Sequence, residues 1–343
     1  MEIKKYTTQW PLLGATRFFL ATIVAVVHLE WFLDDKQAIL KISEFSGLVA
    51  VLGFLLISGY SIAASYQRQS TNYYLRRVLR IIPLYVLCVI GSALLPFLFG
   101  NEIKVPHHEF STPSFNEVIQ NLFFLQGITS ERLNTNPIVW TLTIEVFFYI
   151  IAPVLVRHNF VLISMLVISS ISFFIYRFLN LEYFSHLLYG LSILFLGWAW
   201  LLGFWLYHNK EKPWAIYLSA TTGVVLISLN NYDLGTLWAT TWVMTCGVIG
   251  YSYLVPSMGK YITKILNIFG SASYPLYLIH IPLFIILYEI KVPNSGVIYF
   301  SIVMVVSIFI DYVVDRPIKK IILNSIDLIK NSKRLDVATQ NES

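Results

Sequence analysis

The chain has 343 residues, of which 57% are hydrophobic and 13% charged, with a formal net charge of +5. Soluble domains are nearer a quarter charged, so the composition excludes an ordinary water-soluble core. Its 21 Tyr, 9 Trp and 24 Phe suit a protein with many membrane interfaces to anchor.

A hydrocarbon core of about 30 Å needs close to 20 apolar residues per helix. Such runs fall near 12–33, 44–66, 81–100, 137–156, 160–177, 186–207, 213–230, 234–254, 268–290 and 296–314. They predict an all-α, polytopic integral membrane protein of about ten transmembrane helices. A single transmembrane domain over 1–318 would be followed by a basic cytoplasmic tail over 319–343, an interfacial helix with a polar end. The first run contains an Arg and no small-residue cleavage site follows it, so it reads as a retained helix rather than a signal peptide. Loops are short except the one from Asn101 to Asn136.

Charge sets the orientation. With a cytoplasmic N-terminus, one side receives Lys4, Lys5, Arg68, Arg76, Arg77, Arg80, Arg157, Lys210, Lys212, Lys260, Lys264 and the basic residues from Arg316 onward. The other receives Lys36, Lys41, Lys104, Arg132, Arg177 and Lys291, together with most of the acids. This asymmetry predicts an N-in, C-in topology. It also explains the net positive charge by insertion, so no nucleic-acid partner is expected. Cys88 and Cys246 both lie in apolar runs and read as small hydrophobes. No metal site is expected either, because His107-His108 lacks ligand spacing.

Taken in order, the polar residues inside the runs carry the chemistry. Arg17 and His28 share the first span, where a charge is costly. Eleven steps of 100° and about 1.5 Å bring His28 back to within about 20° of Arg17 and roughly 16 Å further along, so both face one interior groove. An Arg that snorkels to the interface and a His bonded to a neighbouring helix is the structural alternative. In the second span, Ser58-Gly59-Tyr60-Ser61 signals close helix packing. Arg77 and Arg80 share a helical face before the third span, suited either to gripping phosphates or to topological anchoring.

Glu145 lies in the fourth span, about 12 Å from its outer end, and His28 lies about 7 Å from the same side. A buried carboxylate needs a partner. On an imidazole nitrogen it would fix the tautomer and raise the basicity of the other nitrogen, as a general base requires. In the ninth span, which contains Pro275 and Pro282, Ser273, Tyr277 and His280 share one face, the wall of a polar cavity. Asp311 and Asp315-Arg316-Pro317 read as anchoring at the inner edge of the last span.

Four of these blocks carry a resemblance. They are Arg17 with His28, Arg77 with Arg80, Trp140-Thr141-Leu142-Thr143-Ile144-Glu145 to Pro153, and Ser273-Tyr274-Pro275-Leu276-Tyr277-Leu278-Ile279-His280 to Pro282. In this order, closed by Asp315-Arg316-Pro317, the chain resembles the membrane-bound acyltransferase-3 family, the O-acyltransferases that modify bacterial surface sugars and some small molecules. Many members carry a second acid after the Glu, where this chain has Val146, and no appended esterase-like domain is expected.

The resemblance implies transfer of an acyl group, most often acetyl, from acyl-coenzyme A to a hydroxyl of a surface glycan or its lipid-linked precursor in the bacterial inner membrane. The co-substrate would not be bound permanently. In that reading His28, oriented by Glu145, is the general base, and Arg17 faces the donor phosphates or the oxyanion. Arg77 and Arg80 hold the donor at the cytoplasmic mouth, and Ser273, Tyr277 and His280 line the substrate cavity. The rivals are a small-molecule acceptor, a non-catalytic membrane partner, and a secondary transporter, which would show internal symmetry and paired broken helices. Reporter fusions after Asn209 are expected to give a cytoplasmic signal and fusions within Asn101 to Asn136 an outside signal; the reverse pattern would overturn the topology.

Overall fold

The computed structural model of the chain describes residues 8–34, 37–179, 181, 183–230, 235–256 and 258–325. It is all-α, with helices α1 (Trp10–Leu29), α2 (Gly47–Arg68), α3 (Tyr73–Phe99), α4 (Phe115–Leu122), α5 (Trp140–Arg157), α6 (Asn159–Tyr176), α7 (Leu191–His208), α8 (Pro213–Ser228), α9 (Trp238–Leu254), α10 (Lys260–Glu289) and α11 (Gly296–Ile310). Among the described residues, eight helices are long and apolar enough to cross a membrane. They are α1 to α3, α5 to α7, α10 and α11, and they make this a polytopic membrane protein. The two remaining expected spans form shorter helices, α8 of 16 residues and α9 of 17.

Boundaries differ from expectation where helix continues past the apolar run. α3 starts at Tyr73, eight residues early, so Arg76, Arg77 and Arg80 are helical. α11 passes through a π-turn at Asp311–Asp315, and the helix runs on to Ser325. Residues 319–325 of the expected tail therefore extend the last helix, while 326–343 lie outside the described residues, as do Lys4, Lys5 and Lys36 of the charge count.

The long loop is more structured than its reading. Strands β1 (Glu102–Val105) and β2 (His108–Ser111) form an antiparallel hairpin with Ile103 opposite Phe110. Ile103, Val105 and Phe110 are buried while Glu102, Lys104 and Glu109 are exposed, the period-two pattern of a half-covered sheet. Ser114 and Glu117 form a reciprocal capping box that starts α4. We call the end of the bundle bearing this hairpin the hairpin end and the opposite one the basic end.

Small residues set the helix contacts. A Cβ on Gly59 of α2 would lie 1.9 Å from the Trp200 carbonyl oxygen of α7, and one on Gly203 would lie 1.9 Å from that of Leu56. This is the close packing expected at Ser58-Gly59. Gly14 of α1 meets Gly270 of α10 in the same way, where a Cβ would stand 3.1 Å from the opposing Cα. Lipid offers no hydrophobic drive between helices, so association depends on such backbone approach and on polar bonds.

Prolines inside helices free a carbonyl four residues earlier. Here two of those carbonyls are used between helices. Pro153 frees that of Tyr149, which accepts from the Tyr73 hydroxyl at 3.1 Å. Pro282 frees that of Leu278, which accepts from Asn136 Nδ2 and Cys88 Sγ, each at 3.0 Å. Every polar group at membrane depth needs such a partner. Gly59→Ala or Gly203→Ala is expected to cost at least about 1–3 kcal/mol through overpacking. The check is thermal melting in detergent, with Gly91→Ala, whose added Cβ meets nothing within 4 Å, as the unaffected control.

Candidate active site

The polar core divides into two cavities. One, of about 70 Å³, is lined among others by Arg17, Ser58, Arg80, Glu145, Tyr149, Ser273 and Tyr277. The second, of about 540 Å³ toward the hairpin end, is lined by His28, Glu30, Trp31, Arg132, Trp140 and Tyr277 among others. Val51 and Tyr277 line both. The Tyr277 hydroxyl is fixed between them, 2.7 Å from Thr141 Oγ1 and donating at 3.3 Å to the Ile138 carbonyl.

In the smaller cavity Glu145 is held by hydroxyls. Ser58 Oγ of α2 donates to Glu145 Oε1 at 2.7 Å, and the Tyr149 hydroxyl donates to the same oxygen at 2.5 Å. Among the described residues the ion pairs join Lys104 to Glu102 and Glu109, Arg316 to Asp311, and Lys319 to Asp315, and none involves Glu145, Arg17 or Arg80. The Arg17 Nε is buried without a hydrogen-bond partner. Two guanidinium groups and one carboxylate leave a net positive charge in an apolar setting, which favours an anion.

Arg77 and Arg80 part company. Arg80 lines the cavity, whereas Arg77 turns toward α2 and α5. Its Nη2 donates to Ser65 Oγ at 2.8 Å, and its Cζ lies 5.8 Å from the ring centroids of both Tyr73 and Tyr149.

His28 does not meet Glu145. Its Nδ1 lies 2.8 Å from the Val24 carbonyl oxygen and 3.1 Å from His280 Nε2. The expected pairing fails because α10, not α5, is the principal neighbour of α1, while α5 packs on α2, α3 and α7. His280, expected among the substrate-binding residues, is fully buried against His28 instead.

The partners assign the tautomers. His280 Nδ1 lies 3.1 Å from the Leu276 carbonyl oxygen, which can only accept, so that nitrogen carries the proton and His280 Nε2 the lone pair. His28 Nδ1 then faces two acceptors and is an N–H, which leaves the lone pair on His28 Nε2. A carbonyl–His–His relay thus orients the ring as a carboxylate would. Ser273 lines the smaller cavity with its hydroxyl donating at 2.8 Å to the Gly270 carbonyl.

Residues of the 101–136 segment that sequence reading passed over anchor that segment to the bundle. Asn121 and Gln126 reach into the bundle, where the Tyr85 hydroxyl donates to the Asn121 carbonyl at 2.6 Å and Gln126 Nε2 to the Val139 carbonyl at 2.9 Å. Trp31, three residues after His28 and so on its helical face, could have been found by that spacing. Its ring stacks on His108 of the hairpin. Burial and the neighbouring Arg132 hold the His108 imidazole below the usual histidine range. Among the described residues no group of three or more His, Cys, Asp or Glu is placed to hold a metal ion.

The chain is thus a many-spanning helical membrane protein whose core holds two arginines and a paired imidazole. A family model described as an acyltransferase domain matches residues 13–316, from the first helix to the last, and the chain belongs to this acyltransferase-3 family. Neither curated proteins nor solved structures yield a match to it.

A double-mutant cycle of Ser58→Ala with Glu145→Gln is expected to show a coupling of about 0.6–1.7 kcal/mol, the range of interhelical hydrogen bonds in membranes. Thermal melting of the four proteins reads it, and additive effects would remove the Ser58–Glu145 bond from the account.

Proposed function

We propose that this acyltransferase moves an acyl group, most commonly acetyl, from acyl-coenzyme A to a hydroxyl of a surface glycan or its lipid-linked precursor in the bacterial cytoplasmic membrane. The observation that carries the reading is the His28 imidazole beside a cavity of about 540 Å³, with Nδ1 engaged and the lone pair on Nε2. That is the state a general base needs before an alcohol attacks a thioester.

The donor's anionic part is drawn to the positive end of the core, where Arg17 and Arg80 share a cavity. Its acyl end reaches past Tyr277 toward His28. The acceptor hydroxyl gives its proton to His28 Nε2 as its oxygen bonds to the acyl carbon. The carbon–sulfur bond then breaks, and the proton passes to the departing thiolate to leave free coenzyme A. While His28 holds the proton, its Nδ1–H keeps two acceptors, the Val24 carbonyl and His280 Nε2, which stabilise the imidazolium. His280 is therefore the positioning partner first sought in Glu145, and Glu145 serves the arginine cavity. A cavity lined by Trp31, Trp140 and Tyr183 with Glu30, Ser43 and Glu44 offers the mixed aromatic and hydrogen-bonding walls that a sugar fits.

The test supplies purified protein in nanodiscs with acetyl-coenzyme A and a crude surface glycan, and follows thiol release. Wild type is expected to release coenzyme A only with the glycan present. His28→Gln should fold and bind the donor yet turn over about a hundred- to ten-thousand-fold more slowly. Wild-type turnover in His28→Gln would overturn the mechanism.

A further inference from the structure

The imidazole of His28 sits in a line of rings that begins outside the helical bundle. Phe110 of β2 packs edge-on against His108, with centroids 4.7 Å apart at 63°. His108 lies flat on Trp31 at 4.2 Å and 14°. Trp31 meets His28 edge-to-face at 4.7 Å and 77°, and His280 flanks His28 at 5.2 Å. The hairpin is also tied to Trp31 through its backbone, since the His107 N–H donates to the Trp31 carbonyl at 3.0 Å. Phe110 is fully buried and stacks on Phe32 at 5.9 Å, so the hairpin is itself pinned to the end of α1.

These contacts answer a need that the hydrogen bonds leave open. His28 is held at one ring nitrogen only, and it borders an open cavity of about 540 Å³ into which the ring could swing. A wall beside the ring, in addition to His280, is required to keep it in one rotamer, and Trp31 is the ring that meets it edge-to-face. Trp31 in turn keeps its orientation because His108 covers its face.

We propose that Trp31 is a positioning residue for His28, and that the β1–β2 hairpin, through His108, clamps it there. The assignment rests on the acyl-transfer reading of His28. A hairpin outside the helical bundle thus governs how well the base is aimed. Trp31 also lines the neighbouring groove of about 830 Å³ toward the hairpin end, together with Glu30, Asp34, Lys41 and Glu44, so an acceptor filling that groove would press on the same clamp.

The test uses full-length protein in nanodiscs with ¹⁵N-labelled histidine, read for the His28 tautomer, alongside coenzyme A release from acetyl-coenzyme A with the crude glycan. Wild type should show a single Nδ1–H tautomer at His28. In Trp31→Ala the two tautomers should mix and kcat should fall roughly a hundred-fold, the scale of a small misplacement of a reacting group, with the donor KM unchanged. Trp31→Phe should restore both readings. His108→Ala should follow Trp31→Ala in direction, and His108→Phe, which preserves the stack, should behave as wild type.

A wild-type tautomer and kcat in Trp31→Ala overturns the proposal. Should that variant lose its melting transition, His108→Ala decides, and unchanged tautomer and kcat there overturn it equally. If wild-type protein releases no coenzyme A, the acyl-transfer reading fails by itself, while the tautomer measurement still decides whether the clamp exists.

Discussion

The contact between Gly14 and Gly270 lets two backbones touch toward the basic end of an apolar bundle. α1 and α10 run in the same direction, and from that crossing His28 lies fourteen residues on and His280 ten, about 21 and 15 Å along their helices. For the imidazoles to come within 3.1 Å, the axes must stay close over that whole length. A side chain at either glycine would wedge the helices apart at the base of the pair. The relay from the Leu276 carbonyl through His280 to His28 therefore depends on residues that carry no side chain.

Charge and proton chemistry are kept in separate compartments. Fixed cations lie with a hydroxyl-bound carboxylate in the small cavity, while the imidazole pair faces the large one, and Tyr277 stands at the boundary with its own hydroxyl engaged. Had Glu145 bonded His28, its negative charge would have left the arginine cavity without an internal counterweight. Two cations side by side in low dielectric repel strongly. The carboxylate between Ser58 and Tyr149 tempers that repulsion and still leaves net positive charge for an incoming anion.

Much of this was legible in the residues. Hydropathy located the helices because lipid demands long apolar runs, and the polar interruptions at Arg17, His28, Glu145 and Tyr277 marked the core. Partner choice was not legible. Depth along a helix can be counted, but which helix stands beside α1 depends on Gly14 and Gly270, two residues with no side chain to signal a role. The hairpin escaped notice because two four-residue strands are too brief for alternation to stand out from a polar loop. Helix ends shifted for a simpler reason: amphipathic turns at Tyr73 and Lys260 continue the hydrogen-bonding ladder after the apolar composition has stopped.

The unequal helix lengths have a consequence for the surrounding lipid. At about 1.5 Å per residue, α8 and α9 rise roughly 24 and 26 Å, short of a hydrocarbon core of about 30 Å, whereas the 30 residues of α10 exceed it. Two adjacent helices of this length would make a thin flank. Lipid beside them would have to compress or tilt its chains, at a fraction of a kcal/mol per ångström of mismatch. Short-chain or disordered lipids would gather along that edge and leave thicker, ordered ones to the other. The enzyme would in this way shape the composition and the local fluidity of the bilayer in which it works.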